Sequence, residues 1–478
     1  MSTAGDTSFG AANLPDDILG RFLDAAPDFD TLNAAVGVSK RWQGVFVTHP
    51  KAIALSVAHN IVGPALPQAV CFLRYPYPEK EEDSWADPED QEEVDSTTED
   101  DTEDEDGGGA NRRVNTRKEG KPGTKKPEPF SEGDEISELS PQERTELQGN
   151  AGIVSQLEEI FSLRHKDRTS ETSRLTALES HRFSRAMYRV MLYCQLFYWP
   201  LNLDDIDSME DDLEALEKIQ KGRYTMLNQY STAELLEIRA VVAFLHELIK
   251  VVLGNKLFDD GKDICISTGP AVILQAYLTN SSDPFDDAVE PEVMDGNEDN
   301  VFFGGFFSIP MKRIWKERKT VPPESEWDAI LDVVCGKSDA CAQCGVVAGL
   351  KLWSEANWKN LINVDFCALL PGKLGQNDIE TEALMDLFMS STCGAEVIVA
   401  EILDMKTTDF AAWKKDDILC SACLDKLIGA HLHLWLLKRK AQDGWKPTEN
   451  CWYGYNCNTQ VHKRTHAKGR NHLCIPVR

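Results

Sequence analysis

No apolar run in this chain reaches the roughly 18 residues that a membrane span needs. The best stretch, residues 240–253, is interrupted by His246, Glu247 and Lys250. The first 13 residues are small and polar and lack the basic-then-apolar pattern of a secretory leader. The expectation is an intracellular protein, of nucleus or cytoplasm, with no membrane partner. The cysteine count is odd, 13, which leaves no complete internal disulfide framework and favours reduced thiols and metal ligation. A glycine-rich phosphate loop, a nucleophile elbow and an HExxH motif are all missing, as is any fixed-period repeat. Carboxylates are abundant, but many sit in a low-complexity tract where nothing would hold an acid/base pair in place. No catalytic residue is therefore assigned, and the chain is not expected to be an enzyme.

The 478 residues suffice for about three domains of roughly 150 residues. The apolar fraction of 42% allows a sizeable core. The formal net charge of −29 is unevenly spread: between Glu79 and Asp106 there are 17 acids and one base, Lys80. From Lys438 to Arg478 nine bases face two acids. The overall acidity therefore says little about the partner of any one region. Composition divides the chain into residues 13–77, apolar and periodic; 78–149, low in aromatics, acidic then basic, and expected to be a disordered linker; 150–320, helical; 321–445, again expected to be helical and rich in tryptophan; and 446–478, a cysteine/histidine tail. The fold class expected is mostly α.

Within the third region, Ser231-Thr232-Ala233-Glu234 reads as a capping box ahead of an apolar stripe at Leu235, Ile238, Val242, Leu245, Ile249 and Val252. Residues 174–198 and 204–220 give two further helical patterns.

The N-terminal region opens Leu14-Pro15-Asp16-Asp17-Ile18-Leu19, a proline and two acids at the start of a helix whose apolar face continues through Phe22 and Leu23. A second apolar set at Leu32, Val36 and Val38 leads into Ser39-Lys40-Arg41-Trp42. A cluster of about 40 residues is too small to be very stable alone, and it leaves an apolar face for a partner to cover. In the order and spacing of Leu-Pro, acid, Ile-Leu, Phe-Leu and Val-Ser-Lys-x-Trp, the segment resembles an F-box. The resemblance implies contact with the Skp-type linker subunit of a cullin–RING ubiquitin ligase through Leu14, Pro15, Ile18, Leu19 and Val38. Ser39 stands where cysteine is commoner in that family.

Two CxxC pairs follow. Cys341-Ala342-Gln343-Cys344-Gly345 is a knuckle whose glycine allows a tight turn that aims both sulfurs inward. Cys420-Ser421-Ala422-Cys423 stands at the start of an apolar helix, where the positive end of the dipole favours thiolates. Together they predict one structural zinc site, despite the 75 residues between the pairs. A redox pair is the alternative for either motif, though no βαβ pattern surrounds them. His431 and His433 lie roughly 12 Å or more along the helix from Cys423 and are expected to pack rather than ligate.

The tail holds Cys451, Cys457, His462, His466, His472 and Cys474, six potential ligands within 24 residues. Its Cys-x5-Cys with an internal Tyr-Gly, followed by His-x5-His, resembles the PBZ-type zinc finger, which binds poly(ADP-ribose). The resemblance implies Cys451, Cys457, His466 and His472 as ligands. Eight residues separate Cys457 from His466 where the family has six, so His462 or Cys474 stands as a possible replacement. Asn458-Thr459 replaces the family's basic and aromatic pair, while Tyr453, Lys463, Arg464, Lys468 and Arg470 offer an aromatic and cationic surface. An F-box-like head paired with such a tail also resembles a fungal protein family. The function expected is a non-catalytic substrate adaptor of a cullin–RING ligase, with an unknown protein substrate. The alternative is a zinc-finger module that binds poly(ADP-ribose) or nucleic acid without ligase function.

Overall fold

The computed structural model describes residues 14–75, 131–170, 172–197, 213–253, 259–289, 304–361, 364–389, 394–405 and 407–477. Residues 76–130, most of the expected linker, lie outside this set. The described residues are mostly helical. They contain no strands, only three isolated β-bridges.

The head consists of α1 (Asp16–Asp24), α2 (Phe29–Gly37), α3 (Lys40–Thr48), α4 (Pro50–Val62) and α5 (Leu66–Arg74). Its boundaries follow from local chemistry. Asp16 and Asp17 occupy the first turn of α1, Asp28 caps α2 by accepting from the Thr31 N–H at 2.6 Å, and Ser39 caps α3. Arg41 ties α3 to the start of α1 through Asp16 at 2.8 Å. Leu19 and Leu23, one turn apart, are buried. The stretch Pro50–Arg74 matches a membrane span by length and composition alone. In the fold it breaks at Gly63, where φ is +73°, and its apolar side chains enter the core.

The head does not form a core of its own. Val57, Ala58, Val70 and Leu73 share one hydrophobic cluster with the helical body. That body comprises α6 (Pro141–His165), α7 (Ala177–Phe197), α8 (Leu213–Asn228), α9 (Thr232–Leu253), α10 (Asp259–Ser267), α11 (Pro270–Thr279) and α12 (Ser308–Arg318). Helix α5 packs on α6 and α7. At the seam Arg189 of α7, buried, donates to Glu132 at 2.8 and 2.7 Å and to Glu234 at 2.7 Å. Gln68 of the head reaches the same Glu132 at 2.7 Å. Arg74 meets Glu143 and Ser137, each at 2.7 Å. The end of α5 and the segment from Ser131 to Glu143 therefore lie against each other.

This arrangement corrects the boundary expected at residue 150. Residues 131–149 are built into the fold, and α6 starts at Pro141 behind a capping box of Ser140 and Glu143. The box was present in the sequence, but the polar composition around it concealed that Leu139 and Leu147 are fully buried. The box at Ser231 and Glu234 forms as expected, with Glu234 N–H donating to Ser231 Oγ at 3.3 Å. The helix expected over 204–220 is described from Leu213 and runs on to Asn228.

A second core belongs to the C-terminal module. The helical pattern expected from residue 321 differs from what forms. Through Gln376 the described chain makes only short 3-10 turns, and regular helix resumes with α13 (Asp378–Met389), α14 (Ala395–Asp404) and α15 (Ser421–Gln442). The tail adds α16 (Thr459–His462) and α17 (Arg464–Gly469). The module meets the body through polar contacts. The Arg168 guanidinium lies 3.8 Å from the Trp353 ring centroid and donates to Leu350 O at 3.1 Å, and Cys335 N–H donates to Lys166 O at 2.8 Å.

Candidate metal centres

The structure brings together two four-residue sets, Cys341, Cys344, Cys420 and Cys423, and Cys451, Cys457, His466 and His472. In each set the ligand atoms lie within 4.8 Å of one another.

In the first set the knuckle is shaped by Gly345, at φ +71°, whose N–H donates to Cys341 O at 2.9 Å. The other pair arrives 75 residues later because backbone bonds carry it there. Ala342 N–H donates to Ile418 O at 2.8 Å, and Trp353 and Leu419 exchange two bonds of 2.7 Å. Gln343 adds a side-chain bond to Asp417 at 2.6 Å. Cys420 is the N-cap of α15, and Cys423 lies in its first turn. Burial tends to raise the Cys341, Cys420 and Cys423 thiols. Backbone N–H groups of Cys420, Cys344 and Gln343 nevertheless pull Cys341 down to about 6, while burial and the neighbouring thiols push Cys423 well above the usual range. Four sulfurs this close cannot all ionise without a cation among them.

In the second set Gly454 makes the turn between the two cysteines. Its φ is +44°, and a Cβ there would lie 2.2 Å from Cys474 O. Cys451 N–H donates to Asn471 O at 2.9 Å, which draws the His472 segment alongside. His472 is fully buried, and neither ring nitrogen has a hydrogen-bond partner. Burial, reinforced by His466, lowers its pKa to about 4, so the imidazole stays neutral with a lone pair to offer.

The spacing matches the donor chemistry. Thiolates about 2.3 Å from a tetrahedral centre lie about 3.8 Å apart, and a sulfur and an imidazole nitrogen about 3.5 Å apart. Cys344 and Cys420 sulfurs are 3.6 Å apart, and His466 Nε2 lies 3.8 Å from Cys451 Sγ and 3.5 Å from Cys457 Sγ.

The choice left open in the tail falls to His466 and His472. The Cys474 thiol donates to Cys451 O at 3.5 Å and Asn471 O at 3.3 Å, and His462 is exposed outside the set. His431 and His433 are buried away from both sets. His431 bonds Thr407 at 2.6 Å and Leu427 O at 2.8 Å, and His433 lies 5.3 Å from the Tyr455 ring.

The tail is not a free appendage. Lys373 N–H donates to Tyr455 O at 2.8 Å, Asn377 donates to Gln460 at 2.9 Å in a buried contact, and Leu473 joins the second core. Sequence reasoning missed these docking residues, since isolated polar side chains carry no spacing signal.

Of the head residues, Pro15 and Val38 are exposed, and Leu14 and Ile18 are half-buried. Leu19 is fully buried and supports the core rather than facing a partner. Phe22 and Val47 are also exposed, at 58% and 67%, and Val38 reaches 71%. Phe22, which the sequence pattern puts on one face with Ile18, Leu19 and Leu23, meets Trp42 at 6.3 Å between ring centroids. Comparison with known protein families, characterised proteins and solved structures finds no match for this chain.

Proposed function

We propose that this chain is a non-catalytic adaptor of a cullin–RING ubiquitin ligase, docking the Skp-type linker with its head and presenting a zinc-stabilised C-terminal module to a protein substrate. The observation that carries the reading is the apolar surface of α1–α3. Phe22, Val38 and Val47 are exposed on this stretch, Leu14, Ile18 and Trp42 are half-buried, and Phe22 lies against Trp42, although α4 and α5 are anchored in the body. A patch of this kind on an otherwise buried domain marks an interaction site. The shared core also supports the role, because it joins the docking face to the body without a flexible tether, as an adaptor that positions a substrate requires.

Zinc is the metal proposed for both sets. Four thiolates, or two thiolates and two imidazoles, at tetrahedral spacing suit it, and a closed set of four protein ligands leaves no position for a reactive water. Polyanion binding by the tail is the weaker reading. Tyr453, Lys463 and Lys468 are exposed, but Arg464 is engaged by Glu382 at 2.9 Å and Arg470 by Glu449.

The test is co-purification with the linker subunit. Val38→Asp places a charge within the proposed contact and is expected to weaken binding by about 100-fold, roughly 3 kcal/mol. Being exposed, the position should tolerate the change within about 0.5 kcal/mol of stability. Linker binding unaffected by Val38→Asp, or none by the unaltered protein at micromolar linker, would end the adaptor reading.

A further inference from the structure

The two metal sets differ in access. Cys344 is exposed and Cys420 and Cys423 are partly so, whereas Cys451, Cys457 and His472 are buried. The sulfurs of Cys344 and Cys420 already lie 3.6 Å apart. We propose that Cys344 and Cys420 form an oxidation site for peroxides, whose closure to a disulfide releases the metal of the first set alone. The inference rests on the zinc reading of that set.

Susceptibility to peroxide follows thiolate character and access: a bound zinc would hold the sulfurs as thiolates, and Cys344 and Cys420 are the accessible pair already close enough to join. The remaining buried thiols do not compete. Burial pushes Cys71 up to about 11 and Cys265 to about 12, so both stay protonated and enclosed. At the first set a thiolate attacks one peroxide oxygen and the O–O bond breaks, giving a sulfenic acid and, after protonation, water. The second thiolate attacks that sulfur, the S–S bond forms, and the displaced hydroxide leaves as a second water. Two thiols and one hydrogen peroxide thus give one disulfide and two waters, with sulfur oxidised and peroxide reduced by two electrons. A disulfide sulfur carries no charge and is a poor ligand, so zinc is no longer held. The new bond must shorten the 3.6 Å separation to about 2.05 Å. It joins the knuckle to the start of α15, the same two pieces the metal joins. The module should therefore keep its fold on oxidation and lose it on chelation.

The experiment titrates hydrogen peroxide into the full-length, metal-loaded protein. Zinc release is followed with a colorimetric dye, disulfides by non-reducing peptide mapping, and fold by hydrogen exchange. Expected are the loss of one zinc of two, a cross-linked peptide pairing Cys344 with Cys420, retained protection of α15, and rebinding of zinc after reduction. Cys344→His keeps a fourth ligand but removes the disulfide, and is expected to slow that release at least tenfold. Two zincs lost together, none lost, or a bond joining any other pair would overturn the inference while leaving zinc binding intact. Protein that contains no zinc before peroxide is added would overturn the zinc reading and the inference with it.

Discussion

Chelation of both metals is expected to unfold the C-terminal module from residue 341 onward while sparing the core shared by head and body. Structural zinc contributes roughly 10–16 kcal/mol to a small domain, as much as or more than the 5–15 kcal/mol by which a whole domain is typically stable. Without the first site, the knuckle and the Cys420 segment are joined by three backbone bonds around Trp353, Ala342 and Leu419 and one from Gln343 to Asp417. Those contacts also hold the start of α15, whose Leu424, Leu427, Ile428, Leu432 and Trp435 fill the second core. Without the second site, the turn at Gly454 loses its hold on Tyr455, and with it the contacts to Lys373 and Asn377. Hydrogen exchange after dialysis against a strong chelator should show protection lost from α13, α15 and the tail and kept in α7 and α9. Protection kept throughout would mean that packing alone sustains the module.

Replacing Arg189 with Met should destabilise the head–body unit by about 3 kcal/mol, the lower end of what removing one partner of a buried ion pair costs. The lower end applies because the Glu132 and Glu234 side chains remain 23% exposed. Two carboxylates lose their shared cation, and the Tyr230 ring, 4.3 Å from the guanidinium, loses its contact. Calorimetry should record a fall in Tm of about 6–12 °C. The pH dependence has a defined sign. Burial opposes ionisation of Glu234, but Ser231 and Arg189 outweigh it and hold its carboxyl at about 2 against an ordinary 4.5. A depressed carboxyl stabilises the fold above the ordinary value and ceases to do so as pH falls through the folded one. The gap between wild type and Arg189→Met should therefore narrow from pH 4.5 toward 2. A Tm unchanged by Arg189→Met would show that the seam is held by apolar packing alone.

The two candidate metal sets were legible because ligand spacing is local. CxxC and Cys-x5-Cys set their own geometry, and all eight expected ligands converge. What decides among tail ligands is not local. Cys474 is diverted by two carbonyls, one of them 23 residues away at Cys451. The start of α1 was readable from its proline, acids and apolar face, and the apolar set at Leu32 and Val36 marked a second helix, but the fusion of the head to the body was not legible. An apolar helix such as α5 reads the same whether it closes its own core or docks on α7. Residues 321–376 misled for the opposite reason. Trp358, Leu361 and Leu374 are buried from short turns, and such packing leaves no period in the sequence.

Zinc counting in three proteins tests the central claim most directly. Elemental analysis of the purified chain should give two zinc ions, and Cys420→Ser and Cys457→Ser should each give one, since the two sets share no ligand. A single zinc in the unaltered chain that survives Cys420→Ser and is lost only with Cys457→Ser would contradict the claim, because the paired CxxC motifs would then be four thiols without a metal.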